Sequence, residues 1–152
     1  LGGVITLQTG SIAGLFCADR YEHLYEPENG IEAASKKGIL SITDRYLFSS
    51  LAYQSIDAGF DYVFQLNSRF PLPEHLFFLD VDSQTADGRL SGRNQREIYE
   101  NIPFQEKVRD AYNRAFDTFS DSKMKFHRLN GTESREEIHK QICRILEIPP
   151  IL

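Results

Sequence analysis

Three short segments with the character of buried strands constrain the fold of this chain more than any other feature, although the third, which contains Lys125, His127 and Arg128, is the weakest. They are residues 38–43, 75–81 and 125–129, and stretches with helical periodicity separate them. Strands that are apolar along their whole length are typical of a parallel sheet buried on both faces, and parallel strands need helical crossovers between them. We therefore predict an α/β fold, with a three-layer parallel sheet that carries helices on both faces.

The helical stretches carry start and stop signals. Pro103 opens one of them and suits the first turn of a helix, while the tetrapeptide that begins at Ser134 has the pattern of a capping box. Gly38 follows two lysines that are typical of a helix end, and Pro149 stops the last helical pattern. Since no repeat, low-complexity tract or linker interrupts the chain, we predict one domain over residues 1–152.

Charge and composition exclude several classes of function. The 152 residues carry a formal net charge of −5, which argues against a general attraction to nucleic acid or to an anionic membrane surface. No apolar run approaches the ~18 residues of a membrane span. The two cysteines show no metal-ligand spacing, and we assign no metal ligand to protein side chains. We expect a cytoplasmic protein with reduced thiols, in which local arginines hold any anionic ligand.

A first motif joins a predicted strand to a predicted helix over residues 42–54. Asp44 and Arg45 stand at the carboxyl end of the strand, where open α/β sheets bind ligands. An acid beside an arginine at this position can hold a hydrated Mg²⁺ and a phosphate together, but a pair that merely fixes a loop is an equally good interpretation. Ser49 and Ser50 are good N-cap residues, so we expect the helix to begin near them.

A second motif lies in the predicted helix over residues 15–24. Phe16 and Arg20 are four residues apart and therefore share one face of this helix. A ring and a guanidinium on one face can stack on a planar base and donate hydrogen bonds to its edge. The alternative is a core Phe16 with Arg20 in a surface ion pair with Glu22 or Glu28. That alternative is favoured when the second motif is considered without the first.

A third motif is rich in arginine. Arg89, Arg93 and Arg96 surround a glycine, and this composition is typical of a mobile lid that closes over phosphates. We assign the lid to residues 89–100. A solvated basic loop that pairs with nearby glutamates is a serious alternative.

The first two motifs together resemble those of the thymidylate kinase family. The family pattern is close to L-F-x-A-D-R-x-x-H-(L/I), followed by D-R-Y-x-x-S-(S/T)-L-A-Y-Q, and this chain has both, over residues 15–24 and 44–54. Order and spacing agree over about residues 15–146. The resemblance implies a P-loop nucleoside monophosphate kinase-like fold and an enzyme that phosphorylates dTMP to dTDP with ATP and Mg²⁺, in dTTP biosynthesis. It also implies a cytoplasmic homodimer that forms through helices near residues 15–24.

The resemblance further implies how the nucleotide dTMP is held. Phe16 would stack on the thymine ring, and Arg20 would reach its exocyclic oxygen. Ser50 and Gln54 would hydrogen-bond the remaining base edge. Tyr53 would pack against the deoxyribose, where a ribose 2′-hydroxyl would collide with it.

The residues implied at the phosphates belong to the first and third motifs. Arg45 would bridge the acceptor phosphate and the transferring phosphoryl group, and Asp44 would support the Mg²⁺–phosphate arrangement. From the lid, Arg93 and Arg96 are the candidates for a contact with the transferring group, and Arg89 is assigned to ATP. Asn130 and Thr132 follow the last predicted strand and would contact the adenine of ATP. Without the resemblance, these two residues indicate only a turn.

One element of the family pattern has no counterpart in the sequence. The loop G-x-x-x-x-G-K-(S/T), which holds the phosphates of ATP, occurs nowhere in the 152 residues. An open sheet of three strands is also thin for this chain length. We therefore expect an N-terminally incomplete copy that lacks the first strand, loop and helix and does not turn over ATP alone. The alternatives are a kinase for another nucleoside monophosphate and a non-catalytic nucleotide-binding module.

Overall fold

The computed structural model of the protein describes residues 7–82, residue 85 and residues 102–150. These residues form seven helices and two strands. In chain order they are α1 (Thr9–Tyr25), α2 (Ile31–Lys36), α3 (Leu47–Tyr53), α4 (Ser55–Ala58), α5 (Phe60–Asn67), β1 (His75–Asp80), α6 (Ile102–Thr118), β2 (Lys125–Asn130) and α7 (Arg135–Ile145).

The chain divides into two compact units. One unit comprises Leu1–Pro71 and Lys107–Ser120, and the other comprises Leu72–Glu106 and Asp121–Leu152. The single domain over residues 1–152 stays a prediction.

The first unit is helical, and α3 forms the centre of its core. Leu47, Leu51 and Ala52 of this helix are completely buried, as is Ala115 of α6. The ring of Phe48 adds aromatic contacts to the side chains at 116 and 119 of the same unit, with centroids 5.8 and 5.4 Å away. Because α3 is packed in this way, the polar side chains that it carries have fixed positions.

Helix α3 begins at Leu47, two residues earlier than the serine pair predicts. Tyr46 occupies the N-cap position, and Ser49 and Ser50 lie inside the helix. The prediction that these serines cap the helix is wrong because their hydroxyls serve tertiary hydrogen bonds instead. The Ser49 hydroxyl lies 2.8 Å from the hydroxyl of Tyr112, and a guanidinium donates to the Ser50 hydroxyl.

The second unit contains the sheet. Strands β1 and β2 are parallel and pair in register from His75 opposite Lys125 to Asp80 opposite Asn130. Helix α7 follows, and the hydroxyl of Ser134 accepts a hydrogen bond of 3.1 Å from the third residue along, as the capping pattern predicts. Both predicted strands in this unit and their parallel pairing are confirmed. Their predicted burial along the whole length is not, since Leu79 and Phe126 are 48 and 38% exposed.

The predicted strand over residues 38–43 does not form. The sheet of the described residues consists of β1 and β2, and residues 39–43 have no regular secondary structure. Ile39, Leu40 and Ile42 are 56, 61 and 80% exposed. An apolar run predicts a strand only if a neighbouring strand pairs with its backbone, and no described strand does so here. The helix end before it is as predicted, since α2 stops at Lys36 and Gly38 adopts a φ of 73°.

Candidate functional site

Neutral side chains surround the guanidinium of Arg20. Its Nη1 donates a hydrogen bond to Oδ1 of Asn67, and its Nη2 donates one of 2.8 Å to the hydroxyl of Ser50. Its Cζ lies 5.4 Å from the ring centroid of Tyr46 and 5.6 Å from that of Phe70, within the range of cation–π attraction. We call these five residues the Arg20 cluster.

The electrostatics of the Arg20 cluster follow from its burial. Burial lowers the pKa of Arg20, and the nearby Tyr46 opposes this shift. Burial also raises the pKa of Tyr46 to about 12, so this phenol stays neutral and donates 2.9 Å to the carbonyl oxygen of Pro71. Within the described ranges, the ion pair of Arg20 with Glu22 or Glu28 does not form. The Arg20 cluster itself contains no carboxylate, although Asp19 acts on Arg20 electrostatically, and a positive charge held in such a partly buried place suits an electron-rich ligand.

Asn67, like Phe70, is a member of this cluster that the sequence did not reveal. It is the last residue of α5 and is only 1% exposed. Its Nδ2 donates 2.8 Å to the carbonyl oxygen of Val63, and its Oδ1 accepts from Arg20. The sequence offered no signal that separates Asn67 from the other polar residues of α5, Asp61 and Gln65.

Phe16 is on the surface, contrary to the alternative that makes it a core residue. Its side chain belongs to α1 and is 48% exposed, one helical turn before Arg20. An exposed ring and a fixed guanidinium one turn apart suit a planar base, because the ring can stack on it while the guanidinium donates hydrogen bonds to its edge.

A second cluster forms around Arg45. Its guanidinium carbon lies 5.2 Å from the ring centroid of Tyr53, whose ring meets that of Tyr112 edge-on at 6.2 Å. The hydroxyl of Tyr112 is hydrogen-bonded to Ser49. We call these four residues the Arg45 cluster. Burial raises the pKa of Tyr112, the Ser49 hydrogen bond and Arg45 oppose that shift, and Asp44 adds to it.

The backbone at Arg45 is strained. Its φ is 65°, in the left-handed region that residues other than glycine rarely occupy. Such a conformation costs roughly 1–3 kcal/mol and is concentrated at functional sites. Arg45 and Asp44 are both exposed. The guanidinium of Arg45 is therefore available to an anionic ligand.

Helix α3 connects the two clusters. It provides Ser50 to the Arg20 cluster and Tyr53 to the Arg45 cluster, and residues three apart are neighbours on a helix. The two arginines therefore hold side chains from adjacent turns of one buried helix. The structure thus brings Arg20 together with Ser50, and Arg45 together with Tyr53.

The remaining predicted residues have less defined places. Gln54 is the C-cap of α3, and its buried Oε1 accepts no hydrogen bond from the described residues. Asn130 Oδ1 accepts hydrogen bonds from the backbone N–H and the hydroxyl of Thr132, at 3.0 and 2.7 Å, so this pair forms the turn that its sequence indicates. The predicted lid, residues 89–100, lies outside the described residues, together with its three arginines, Arg89, Arg93 and Arg96.

Across residues 7–82, 85 and 102–150, side chains of His, Cys, Asp and Glu form no cluster of three or more that suits a metal ion. Asp44 can still fit Mg²⁺, because this ion is often held by one carboxylate together with substrate phosphates and water. None of the helices described here is long and apolar enough to cross a bilayer.

The sequence profile described as thymidylate kinase matches residues 4–142, most of the chain. This chain belongs to the thymidylate kinase family. A family member from Treponema pallidum is 35% identical over 145 residues, which cover 93% of this chain and 69% of the relative. Another from Methanococcus aeolicus is 32% identical over 139 residues, which cover 90% and 68%. The chain thus spans about two thirds of the length of these thymidylate kinase relatives.

A solved structure supports the fold. The thymidylate kinase from Candida albicans superposes with a TM-score of 0.68 at 21% identity, over 94% of this chain and 68% of that one. The predicted α/β fold of the P-loop nucleoside monophosphate kinase type is therefore confirmed. The absence of the family's first strand, loop and helix stays a prediction.

Proposed function

We propose that the intact protein transfers a phosphoryl group from ATP to dTMP, giving dTDP for dTTP biosynthesis in the cytoplasm. Family membership supports this activity. The observation that carries the assignment of the site is the pair of arginines that hold adjacent turns of α3, Arg20 through Ser50 and Arg45 through Tyr53. Arg20 suits a base and Arg45 suits a phosphate.

Base recognition follows from the hydrogen-bonding capacity of Arg20. A guanidinium has five N–H groups and no acceptor, and two of its nitrogens are occupied by Asn67 and Ser50. The remaining N–H groups can donate to a keto oxygen of thymine, while the exposed ring of Phe16 stacks on the base. Ser50 and Gln54 complete the base contacts in this proposal.

Sugar selection depends on Tyr53. Its ring is in contact with both the guanidinium of Arg45 and the ring of Tyr112, so that it forms a fixed wall. A deoxyribose can pack against this wall, whereas the additional 2′-hydroxyl of a ribose would require the ring to move. We propose that Tyr53 favours deoxynucleotides for this reason.

Phosphoryl transfer needs mainly positioning and neutralisation of charge. The nucleophile is an oxygen of the dTMP phosphate, whose second pKa is about 6, so that no strong general base is needed. Arg45 would orient this phosphate, and Asp44 would hold hydrated Mg²⁺, which neutralises charge on the phosphates. From the lid, Arg93 and Arg96 are proposed to contact the transferring group. ATP would be held with the help of Arg89, Asn130 and Thr132.

We also propose that the protein acts as a homodimer that forms through α1. Leu15 of this helix is apolar and 58% exposed, which supports a contact with a second copy. Light scattering of the full-length protein should give twice the monomer mass, and Leu15→Glu should shift it to the monomer. A monomeric wild-type protein would refute the dimer.

A nucleotide panel tests the reaction. With ATP as donor, the full-length protein should use dTMP more efficiently than dUMP or dCMP, measured as kcat/KM in a coupled assay. Equal use of AMP or GMP would favour the other-kinase alternative. Binding of dTMP without turnover of any nucleotide would favour the non-catalytic module.

A matched pair of arginines tests the site. Arg45→Ala should reduce kcat by orders of magnitude and change dTMP affinity less, because its contact is made with the phosphates. Arg114 is the control, since it is also exposed, belongs to the same unit and lies over an aromatic ring, 3.8 Å from the centroid of Phe60. Arg114→Ala should leave kcat unchanged. Similar losses in both variants would contradict the role of Arg45.

A further inference from the structure

The orientation of the Asn67 amide is fixed by its own helix. Its Nδ2 donates to the carbonyl oxygen of Val63, one turn earlier on α5, and only the nitrogen of the amide can make this bond. Its oxygen must therefore face Arg20. Asn67 is 1% exposed, so water does not compete for either group. Asn67 is thus a rigid acceptor whose direction the backbone of α5 determines.

This acceptor restricts Arg20 at one terminal nitrogen, and Ser50 restricts it at the other. The rings of Tyr46 and Phe70 lie close to its guanidinium, at 5.4 and 5.6 Å. Rotation about the Cζ–Nε bond would break both hydrogen bonds at once. The guanidinium is therefore held in one plane, with the same N–H groups always directed away from the cluster.

We infer that Asn67 is a positioning residue that makes the enzyme select pyrimidines with an oxygen at C4 over those with an amino group. The inference rests on the proposed function, which supplies the base. A fixed guanidinium offers only donors, which match a keto oxygen and oppose the amino group of cytosine. A guanidinium that can turn away tolerates either group. Asn67 acts through Arg20 and does not itself touch the base.

The neutral amide suits this role better than the obvious replacements. Aspartate would place a carboxylate near the carbonyl oxygen of Val63 and would neutralise the charge of Arg20. Leucine has the same branched skeleton as asparagine and is somewhat larger, but it offers no acceptor, so it removes the restraint and keeps the space filled. Asn67→Leu is therefore the informative substitution.

The kinetic test compares dTMP with dCMP in the full-length enzyme. Asn67→Leu should lower the ratio of kcat/KM for dTMP over dCMP roughly tenfold or more, as expected for loss of a hydrogen bond to a charged group. The change should arise in KM for dTMP, with kcat nearly constant. Val108→Ala is the control, because Val108 is 3% exposed in the same unit and is not part of the Arg20 cluster. This control should lose stability and keep the ratio.

A second measurement separates this inference from the proposed function. With ¹⁵N-labelled arginine, the two Nη signals of Arg20, assigned by their loss in Arg20→Lys, should be resolved in the wild-type protein. They should merge in Asn67→Leu, because rotation about Cζ–Nε becomes fast. Resolved signals in Asn67→Leu would overturn the positioning role, and merged signals with an unchanged nucleotide ratio would overturn the selection role. A wild-type protein with resolved signals and no dTMP turnover would refute the proposed function and leave the restraint on Arg20 established.

Discussion

At position 45, glycine should give a more stable protein than alanine, although both substitutions remove the guanidinium. The reason is the φ of 65° at Arg45, which a side chain with a Cβ tolerates poorly. The left-handed conformation costs a residue with a Cβ about 1–2 kcal/mol. Glycine avoids this cost, but about 0.4–1 kcal/mol of the gain is lost because the unfolded chain with glycine has more conformational freedom.

The comparison between the two variants isolates the backbone. Both lose the cation–π contact with Tyr53, so that its contribution cancels. We expect Arg45→Gly to be more stable than Arg45→Ala by about 1 kcal/mol. The measurement is urea unfolding at 25 °C, followed by circular dichroism and extrapolated to water. In the proposed function, both variants should also lose turnover by orders of magnitude.

Two other positions serve as controls. Glu147 has a φ of 56° and no assigned role, so the glycine variant should again be more stable than the alanine variant, and both should keep full turnover. Asp110 is exposed within α6, where the alanine variant should be more stable than the glycine variant by about 0.5–1 kcal/mol. Alanine equal to or more stable than glycine at 45, with the expected orders at Glu147 and Asp110, would refute the left-handed conformation and the strain inferred from it.

Three further predictions concern other parts of the protein. Tyr53→Ala should bring kcat/KM for ribosyl-TMP closer to that for dTMP, and unchanged discrimination would argue against this residue as the sugar wall. Burial and the neighbouring His75 lower the pKa of His127, so the unfolded chain binds more protons than the folded chain at acidic pH. The free energy of unfolding should therefore fall as the pH drops below about 6.5. A stability that does not change with pH, or that falls equally steeply in His127→Asn, would contradict this. Ser134→Ala should cost about 1 kcal/mol in urea unfolding through loss of the bond from Glu137, whereas Ser134→Asp should retain most of the stability.

Some features of the fold were available from the sequence because they depend on residues close together in the chain. The cap at Ser134, the first-turn Pro103 and the helix end before Gly38 all involve neighbours within one turn. The apolar run at β1 and the weaker pattern at β2 were also sufficient, since each of these strands finds its partner in the other. Residues 38–43 show the limit of that argument, because an apolar run without a paired neighbour among the described residues does not become a strand.

The candidate site shows the same division. The motifs identified Arg20 and Arg45, together with the face that Phe16 shares with Arg20. Which side chains hold these arginines could not be predicted from spacing. Asn67 lies 47 residues after Arg20 along the chain, and Tyr112 lies 63 residues after Ser49.

The sequence by itself determined the family, the local helix and strand signals, and the candidate ligand-binding residues. Only the tertiary structure decided that Ser49 and Ser50 serve as hydrogen-bond partners inside a helix, that Asn67 fixes Arg20, and that Arg45 has a left-handed backbone. The physical reason is that local patterns specify backbone conformation, whereas hydrogen-bond partners of buried groups are chosen by packing between elements far apart in the chain.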